Sequence, residues 1–215
     1  ITPIMCNLFK HFAFAAVILI PSFIKAYDFT SGGIYYNIKN NEAVVTYPNS
    51  TSPSNTSPSS YTGNIIIPQT VVYDNTTYEI TAVDEKAFLY SSISSVTFSE
   101  GIKTIGKQAF SNCNNLTSIT LPKSVTNIGF DAFAYNSSLS TVTIGNGLAK
   151  VEQGGFYSSA VKNVYINGTT PPIVSNYLFS SNPVVYVKAN AKSDFEQSSW
   201  TSFGIFEIYY DADYD

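Results

Sequence analysis

A phenylalanine recurs at almost constant spacing through the middle of the chain, and this period constrains the fold more than any other feature. The spacings are 22, 23, 23 and 23 residues, and the positions are Phe88, Phe110, Phe133, Phe156 and Phe179. A unit of this length cannot enclose its own apolar side chains, so it must cover them against copies of itself. The period therefore predicts a stack of similar units with the phenylalanines as an interior column.

A second apolar pattern follows each phenylalanine. In the unit that spans 102–126 it consists of Leu116, Ile119 and Leu121. The spacing L-x-x-L-x-L is the mark of a leucine-rich repeat. Within it, Ile119 and Leu121 would point inward and Thr120 outward, as in a strand with one buried face. We therefore predict a β-rich solenoid in which successive units place these strands side by side in one parallel sheet.

Residues 1–26 have the features of a secretory signal peptide. Lys10 precedes an apolar run at 12–20, and Ile24-Lys25-Ala26 is an acceptable cleavage site. The apolar run is shorter than the ~20 residues that a membrane span requires. We therefore expect a protein that is secreted or held at the cell surface, with no membrane span after cleavage; an uncleaved anchor is the alternative.

The rest of the chain divides into three parts. Residues 27–77 predict an N-terminal β-hairpin cap, and the Ser/Pro/Asn-rich stretch 48–60 within it predicts a flexible loop. Residues 78–190 form the leucine-rich repeat array, with four clear copies and one degenerate copy. Residues 191–215 form a C-terminal cap, in which Ser193 and Glu196 suggest a capping box that opens a short helix. Trp200 is expected to be the buried anchor of this cap, with carbohydrate stacking as its alternative role.

The composition argues against most enzyme classes. After cleavage no His and no Arg remain, and the single cysteine is Cys113. Sites that rely on His or on a Cys–His pair, and zinc sites of Cys and His, therefore cannot be assembled. The carboxylates Asp84 and Glu152 occupy equivalent places three strands apart, roughly 14 to 15 Å. Glycosidase carboxylates are only ~5 to 9.5 Å apart, so we expect no enzyme, no cofactor and no metal.

Two further features concern charge and the cysteine. Loss of Lys10 and Lys25 leaves 9 of the 11 basic residues against 15 acidic ones, a net charge of −6. This charge disfavours a nucleic-acid partner. Cys113 occupies the position that Asn136 holds in the next unit, so it is expected to be a small residue within the stack. A reactive or interchain thiol is the alternative.

The units IKTIGKQAFSNCNNLTSITLPKSVTNIG and VTNIGFDAFAYNSSLSTVTIGNG resemble the BspA-like leucine-rich repeats, a surface and secreted group that is abundant in host-associated bacteria. The end pieces GGIYYNI, YTGNIIIP and VVYVKANAKSDFEQSSW also resemble those of the group, so the likeness covers nearly all of the chain after residue 26. The resemblance implies a right-handed parallel solenoid and, for some members, adhesion to host matrix proteins or to other microbial cells.

The outward strand positions are the candidate binding residues, because a solenoid offers its sheet face as an extended binding surface. They are Thr97, Thr120, Thr143, Tyr165 and Tyr186. We expect a monomeric, non-enzymatic module that binds an extracellular or host matrix protein through this row. One alternative is a glycan-binding module with Tyr165 and Tyr186 as its platform. The other is a scaffold without a ligand, since Thr and Tyr also suit a solvated strand.

Overall fold

The computed structural model describes residues 27–48, 53–54, 59–203 and 205–208, the last four by their backbone alone. The predicted signal peptide, most of the predicted loop 48–60 and the end of the C-terminal cap lie outside these residues. Helix α1 spans Lys192–Glu196, and a 3-10 turn spans Ser199–Ser202. The strands are β1 Phe29–Ser31, β2 Ile34–Lys39, β3 Glu42–Thr46, β4 Thr62–Ile67, β5 Thr70–Tyr73, β6 Thr76–Val83, β7 Ser92–Phe98, β8 Thr104–Ile105, β9 Ser118–Leu121, β10 Asn127–Ile128, β11 Thr141–Ile144, β12 Lys150–Val151, β13 Asn163–Ile166, β14 Ile173–Val174, β15 Val184–Val187 and β16 Ile205–Ile208.

Two parallel sheets run along the array. The front sheet has the order β16-β15-β13-β11-β9 and contains the strands of the L-x-x-L-x-L pattern from β9 onward. The back sheet has the order β1-β2-β3-β6-β8-β10-β12-β14, and its strands β8, β10, β12 and β14 are only two residues long. In the back sheet Ile105, Ile128 and Val151 lie side by side. The chain is thus a leucine-rich repeat solenoid in which neighbouring units are joined by hydrogen bonds in both the front and the back sheet.

The N-terminal strands close one end of the back sheet. Strands β2 and β3 form an antiparallel hairpin, and β3 pairs in parallel with β6. The hairpin turns at Asn40 and Asn41, both with positive φ (52° and 66°), which asparagine tolerates better than most residues. Strand β4 lies in the predicted cap, yet it pairs in parallel with β7 as array strands do. It therefore adds a strand to the array at its N-terminal end.

The predicted interior column of phenylalanines is confirmed. Successive rings stack with centroids 4.7, 5.2, 5.2 and 5.5 Å apart, in the order Phe88, Phe110, Phe133, Phe156 and Phe179. Tyr61 extends the column at the N-terminal end, with its centroid 4.4 Å from that of Phe88. At the other end the centroid of Trp200 lies 6.4 Å from that of Phe179. Aromatic side chains from the segments on either side of the array thus cover the column.

The turns that carry the phenylalanines have an unusual backbone. The residue two positions before each phenylalanine has positive φ in all five units: Lys86, Gln108, Asp131, Gly154 and Tyr177. The residue two positions after it has positive φ in four units: Tyr90, Asn112, Tyr135 and Ser158. The N–H groups of these turns bond forward to the next unit, as in Tyr135 N to Tyr157 O at 2.8 Å. This bonding holds the backbone in place whatever the side chain.

Small polar side chains form a buried line beside the phenylalanine column. Asn136 is fully buried and its amide nitrogen donates to the carbonyls of Phe110 and Phe133, both at 2.9 Å. Cys113 is fully buried one unit earlier, with its sulfur 3.3 Å from the hydroxyl of Ser91. The interpretation of Cys113 as a small residue within the stack is therefore confirmed.

The C-terminal segment differs in part from expectation. The predicted capping box is wrong, because the N-cap of α1 is Ala191 and no side chain caps the helix, which leaves Ser193 inside it. The expectation that Trp200 is a buried anchor is confirmed, since its side chain is fully buried and its indole N–H donates to the carbonyl of Pro172 at 2.8 Å. Strand β16 continues the front sheet beyond β15.

Candidate binding face of the solenoid

Four of the five predicted site residues lie side by side on the front sheet. The pairing places Thr120 beside Thr143, Thr143 beside Tyr165, and Tyr165 beside Tyr186. Their inward neighbours, such as Ile119 and Val142, are buried, so strand alternation turns the row outward. Thr120 is exposed, and the other three are half-buried.

The fifth predicted residue, Thr97, is separated from this row by a break in the sheet. Strand β7 pairs with β4, and no pairing joins it to β9 among the described strands. The prediction of one continuous sheet is therefore wrong at this point. Pro122 provides the physical reason. In the next unit the N–H of Gly145 bonds to the carbonyl of Leu121 at 3.0 Å, whereas proline at the equivalent position has no N–H to donate.

The break opens a groove of about 690 Å³ on the front face. Thr97 lines one side and Thr120 the other, so the groove begins where the row of four residues ends. Six of its thirteen lining residues carry hydroxyl or amide groups. The groove is also lined by one acidic and one basic residue, Glu100 and Lys123, and by the half-buried ring of Phe98. Such a lining suits a ligand with alternating polar and apolar groups.

The two tyrosines of the row stack on each other. Their ring centroids are 4.6 Å apart and the ring planes differ by 9°. Each ring therefore covers one face of the other. Edges and hydroxyls of tyrosine contribute contact area and hydrogen bonds to protein interfaces.

The structure keeps the two carboxylates considered for catalysis apart. Asp84 forms an ion pair with Lys39, and Glu152 forms another with Lys150 at 3.3 Å. Among the described residues no three His, Cys, Asp or Glu side chains form a group that could hold a metal ion. Within the same part of the chain, no helix has the length and hydropathy that crossing a membrane requires.

Burial perturbs the titration of several groups inside the solenoid. It raises the pKa of Cys113 from 9.0 to about 12, and hydrogen bonds from Ser91 oppose this shift only in part. Burial also raises the pKa of Tyr36 from 10.0 to about 12. The Cys113 thiol is thus protonated at neutral pH, which argues against a reactive thiolate.

A second cluster, which we call the turn-face pocket, was not predicted from the sequence. It has a volume of about 260 Å³ and is lined by Phe130, Asp131, Tyr135, Gln153, Gly154, Tyr157 and Tyr177. The Tyr157 ring lies edge-on to both Tyr135 and Tyr177, with centroids 6.0 and 6.2 Å apart. Its aromatic residues come from three successive units. They do not recur at one repeat position, so the sequence gives little signal of their proximity.

Comparison with solved structures found several similar chains. The structure of the pneumococcal vaccine antigen PcpA aligns with 78% of this chain at 16% identity and a TM-score of 0.56. This chain covers 51% of that structure, or about half of its length. A leucine-rich repeat protein from Bacteroides capillosus is 23% identical, with a TM-score of 0.46, over 75% of this chain and 98% of that one. The leucine-rich repeat protein of T. pallidum is 15% identical, with a TM-score of 0.45, over 85% of this chain and 100% of that one.

The family model of the BspA type leucine-rich repeat region matches residues 63–201 in six copies. This is one copy more than the five counted from the phenylalanines, and the match starts within β4. Comparison with functionally curated proteins gave no match. The family match extends over about two thirds of the chain and contains strands β5 to β15. The chain therefore belongs to the BspA type leucine-rich repeat family.

Proposed function

We propose that this chain is a secreted or cell-surface adhesion module that binds an extracellular protein with the front face of its solenoid. Membership of a leucine-rich repeat family supports a protein-interaction module in general. The pneumococcal protein of similar fold is described as a vaccine antigen, which supports an exposed location. The proposed partner is an extracellular or host matrix protein, and the proposed binding unit is a monomer.

The groove between β7 and β9 is the observation that carries this proposal. It lies directly beside the outward row, so a partner that fills the groove would also contact Thr120 and Thr143. The four residues of the row span three strand spacings, roughly 14 to 15 Å. A partner segment anchored in the groove would therefore reach the stacked pair Tyr165 and Tyr186.

The charge of the groove bears on the kind of partner. Glu100 and Lys123 have opposite charges, and the remaining side chains are neutral. Affinity would then depend on hydrogen bonds and on contact with Phe98 and the tyrosines rather than on attraction to a charged surface. A segment of matrix protein with mixed polar and apolar side chains fits this lining.

Binding to an array of immobilised extracellular matrix proteins would test the proposal. Two front-face variants, Thr120→Lys and Tyr165→Ala, are compared with the back-sheet variant Thr104→Lys. Thr104 is an exposed threonine in β8 and serves as the matched control for Thr120. We expect both front-face variants to weaken binding to the same matrix protein, while Thr104→Lys binds as the unmodified protein does. Thermal unfolding of all three variants shows whether they remain folded.

Two outcomes would count against the front face. One is equal binding by Thr120→Lys and Thr104→Lys, and the other is a loss of binding by Tyr165→Ala that merely follows a loss of stability. A glycan platform at Tyr165 and Tyr186 has weaker support, since each ring already covers one face of the other.

A further inference from the structure

The turn-face pocket displays aromatic side chains that the fold does not require. Tyr177 is 63% exposed and Tyr135 is 43% exposed, so neither ring is part of the core. Both residues have φ of 60°, a conformation that bulky side chains rarely adopt. In other units the position of Tyr177 is occupied by Gly154, and that of Tyr135 by Asn112. Glycine or asparagine would therefore suit the backbone better, and the tyrosines contribute something other than packing.

The pocket also holds hydrogen-bonding groups close to these rings. The Asp131 carboxylate lies against Gly154, where a Cβ would collide with its Oδ1 atom. The glycine thus leaves room for the carboxylate between two successive turns. Partial burial raises the pKa of Asp131, and the nearby Lys107 opposes this shift. Gln153 adds an amide that both donates and accepts.

The charges around the pocket favour a neutral ligand. The ammonium of Lys107 lies 5.9 Å from the ring centroid of Phe130, which lines the pocket. Its positive charge offsets that of Asp131 and would repel a second cation near Phe130. A neutral ligand with an apolar face and several hydroxyls would instead use both the rings and the polar groups.

We propose that the turn-face pocket binds a neutral hexopyranose residue of a glycan. The C–H face of the sugar packs on the exposed ring of Tyr177, and its hydroxyls bond to the Asp131 carboxylate and the Gln153 amide. This site lies on the turns between the two sheets and shares no residue with the groove between β7 and β9. It goes beyond the proposed protein-binding function and does not depend on it.

A neighbouring pocket extends the same surface. It has a volume of about 410 Å³ and also contains Tyr135 in its wall. Gln108 and Asn112 line it and supply amide groups. A second sugar unit joined to the first would thus meet hydrogen-bonding side chains along the turns, which favours an oligosaccharide over a free monosaccharide.

Saturation-transfer difference NMR on the intact secreted protein tests the site. The probes are the methyl glycosides of glucose, galactose, mannose and N-acetylglucosamine, with tetramethylammonium as the cationic comparison. The variants are Tyr177→Asn, which removes the ring but suits positive φ, and Tyr177→Phe, which keeps the ring. The variant Tyr165→Ala tests whether the front face contributes to glycoside binding.

We expect at least one glycoside to receive saturation, and Tyr177→Asn to weaken its binding about two- to twelvefold, the range for loss of one aromatic contact. Tyr177→Phe and Tyr165→Ala should bind it as the unmodified protein does. The proposal is overturned if no glycoside binds, if binding survives equally in Tyr177→Asn, or if only tetramethylammonium binds. Loss of matrix-protein binding in Tyr165→Ala with glycoside binding intact would separate the two sites.

Discussion

The side-chain oxygen of Asn136 accepts a hydrogen bond from the backbone N–H of Cys113, 2.6 Å away in the preceding unit. Its amide nitrogen donates to the carbonyl of Phe110 in that unit and to that of Phe133 in its own. One buried side chain thus joins two units through three backbone groups. Buried groups of this kind are costly to leave without partners.

Replacement of Asn136 by alanine should therefore be strongly destabilising. The N–H of Cys113 and the carbonyl of Phe110 would lose this buried partner, whereas the carbonyl of Phe133 would keep the hydroxyl of Ser159. At ~1 to 3 kcal/mol for each unsatisfied group, we expect a loss of about 2 to 6 kcal/mol in urea unfolding. Asn114→Ala is the control, because Asn114 is exposed and its hydrogen bonds go to Ser137. Similar losses in both variants would refute this account.

A methyl group at Gly129 should also destabilise the solenoid. A Cβ there would lie 2.8 Å from the backbone nitrogen of Lys107 and 2.9 Å from the carbonyl carbon of Gly106, so adjacent units would have to separate. We expect Gly129→Ala to cost about 1 to 3 kcal/mol, the usual range for overpacking, in the same urea experiment. Gly33 is the comparison position. A Cβ there would have no neighbour within 4 Å, although the positive φ of Gly33 also disfavours alanine. A smaller loss for Gly129→Ala than for Gly33→Ala would contradict the steric explanation.

The phenylalanine column predicts that two nearby phenylalanines differ strongly in their contribution to the free energy of unfolding. Phe133 is fully buried and stacks on Phe110 and Phe156, whereas Phe130 is half-buried and contacts Lys107. Thermal unfolding should show a loss of about 3 to 5 kcal/mol for Phe133→Ala, as for other buried aromatic residues. Phe130→Ala should cost only ~1 kcal/mol, since a partly exposed cation–π contact is weak. Equal melting temperatures for the two variants would rule out the column as the main source of stability.

Stability should decline at alkaline pH. The folded-state pKa of both Cys113 and Tyr36 is raised to about 12, from 9.0 and 10.0 respectively. Because the unfolded chain loses these protons first, the stabilisation is complete below pH 9 and is lost as pH rises towards 12. Melting temperatures measured from pH 8 to pH 11 should fall progressively, and Cys113→Ala should show a shallower fall between pH 9 and pH 10. A melting temperature that stays constant across this range would contradict the prediction.

The sequence predicted those features that depend on side-chain periodicity. The spacing of Phe110 and Phe133 gave the interior column, and the alternation of Ile119, Thr120 and Leu121 gave the front strands and their outward row. Both patterns reflect burial, which selects residue type directly. The back sheet escaped prediction because strands of two residues, such as Asn127–Ile128, are too short to show alternation.

Features that depend on backbone pairing were harder to predict. Pro122 is visible in the sequence, but its effect depends on whether the N–H at this repeat position bonds to the preceding unit. The N–H of the equivalent residue, Gly145, does so in the next unit. The turn-face pocket combines Tyr135, Tyr157 and Tyr177 from three different positions in their units. Only the register of the units shows that these rings meet. The start of α1 could not be located from the sequence either, because its N-cap residue, Ala191, has no capping side chain.

The left-handed turns have a consequence for how this molecule diversifies. Lysine, glutamine, aspartate, glycine and tyrosine all occupy the same turn position, two residues before the phenylalanine, on one conserved backbone path. The backbone path therefore does not dictate one side chain at this position, and the exposure of the residues there ranges from the buried Gly154 to the exposed Tyr177. Substitutions at the exposed and half-buried members would alter the surface of the turns, whereas any side chain at Gly154 would collide with Asp131.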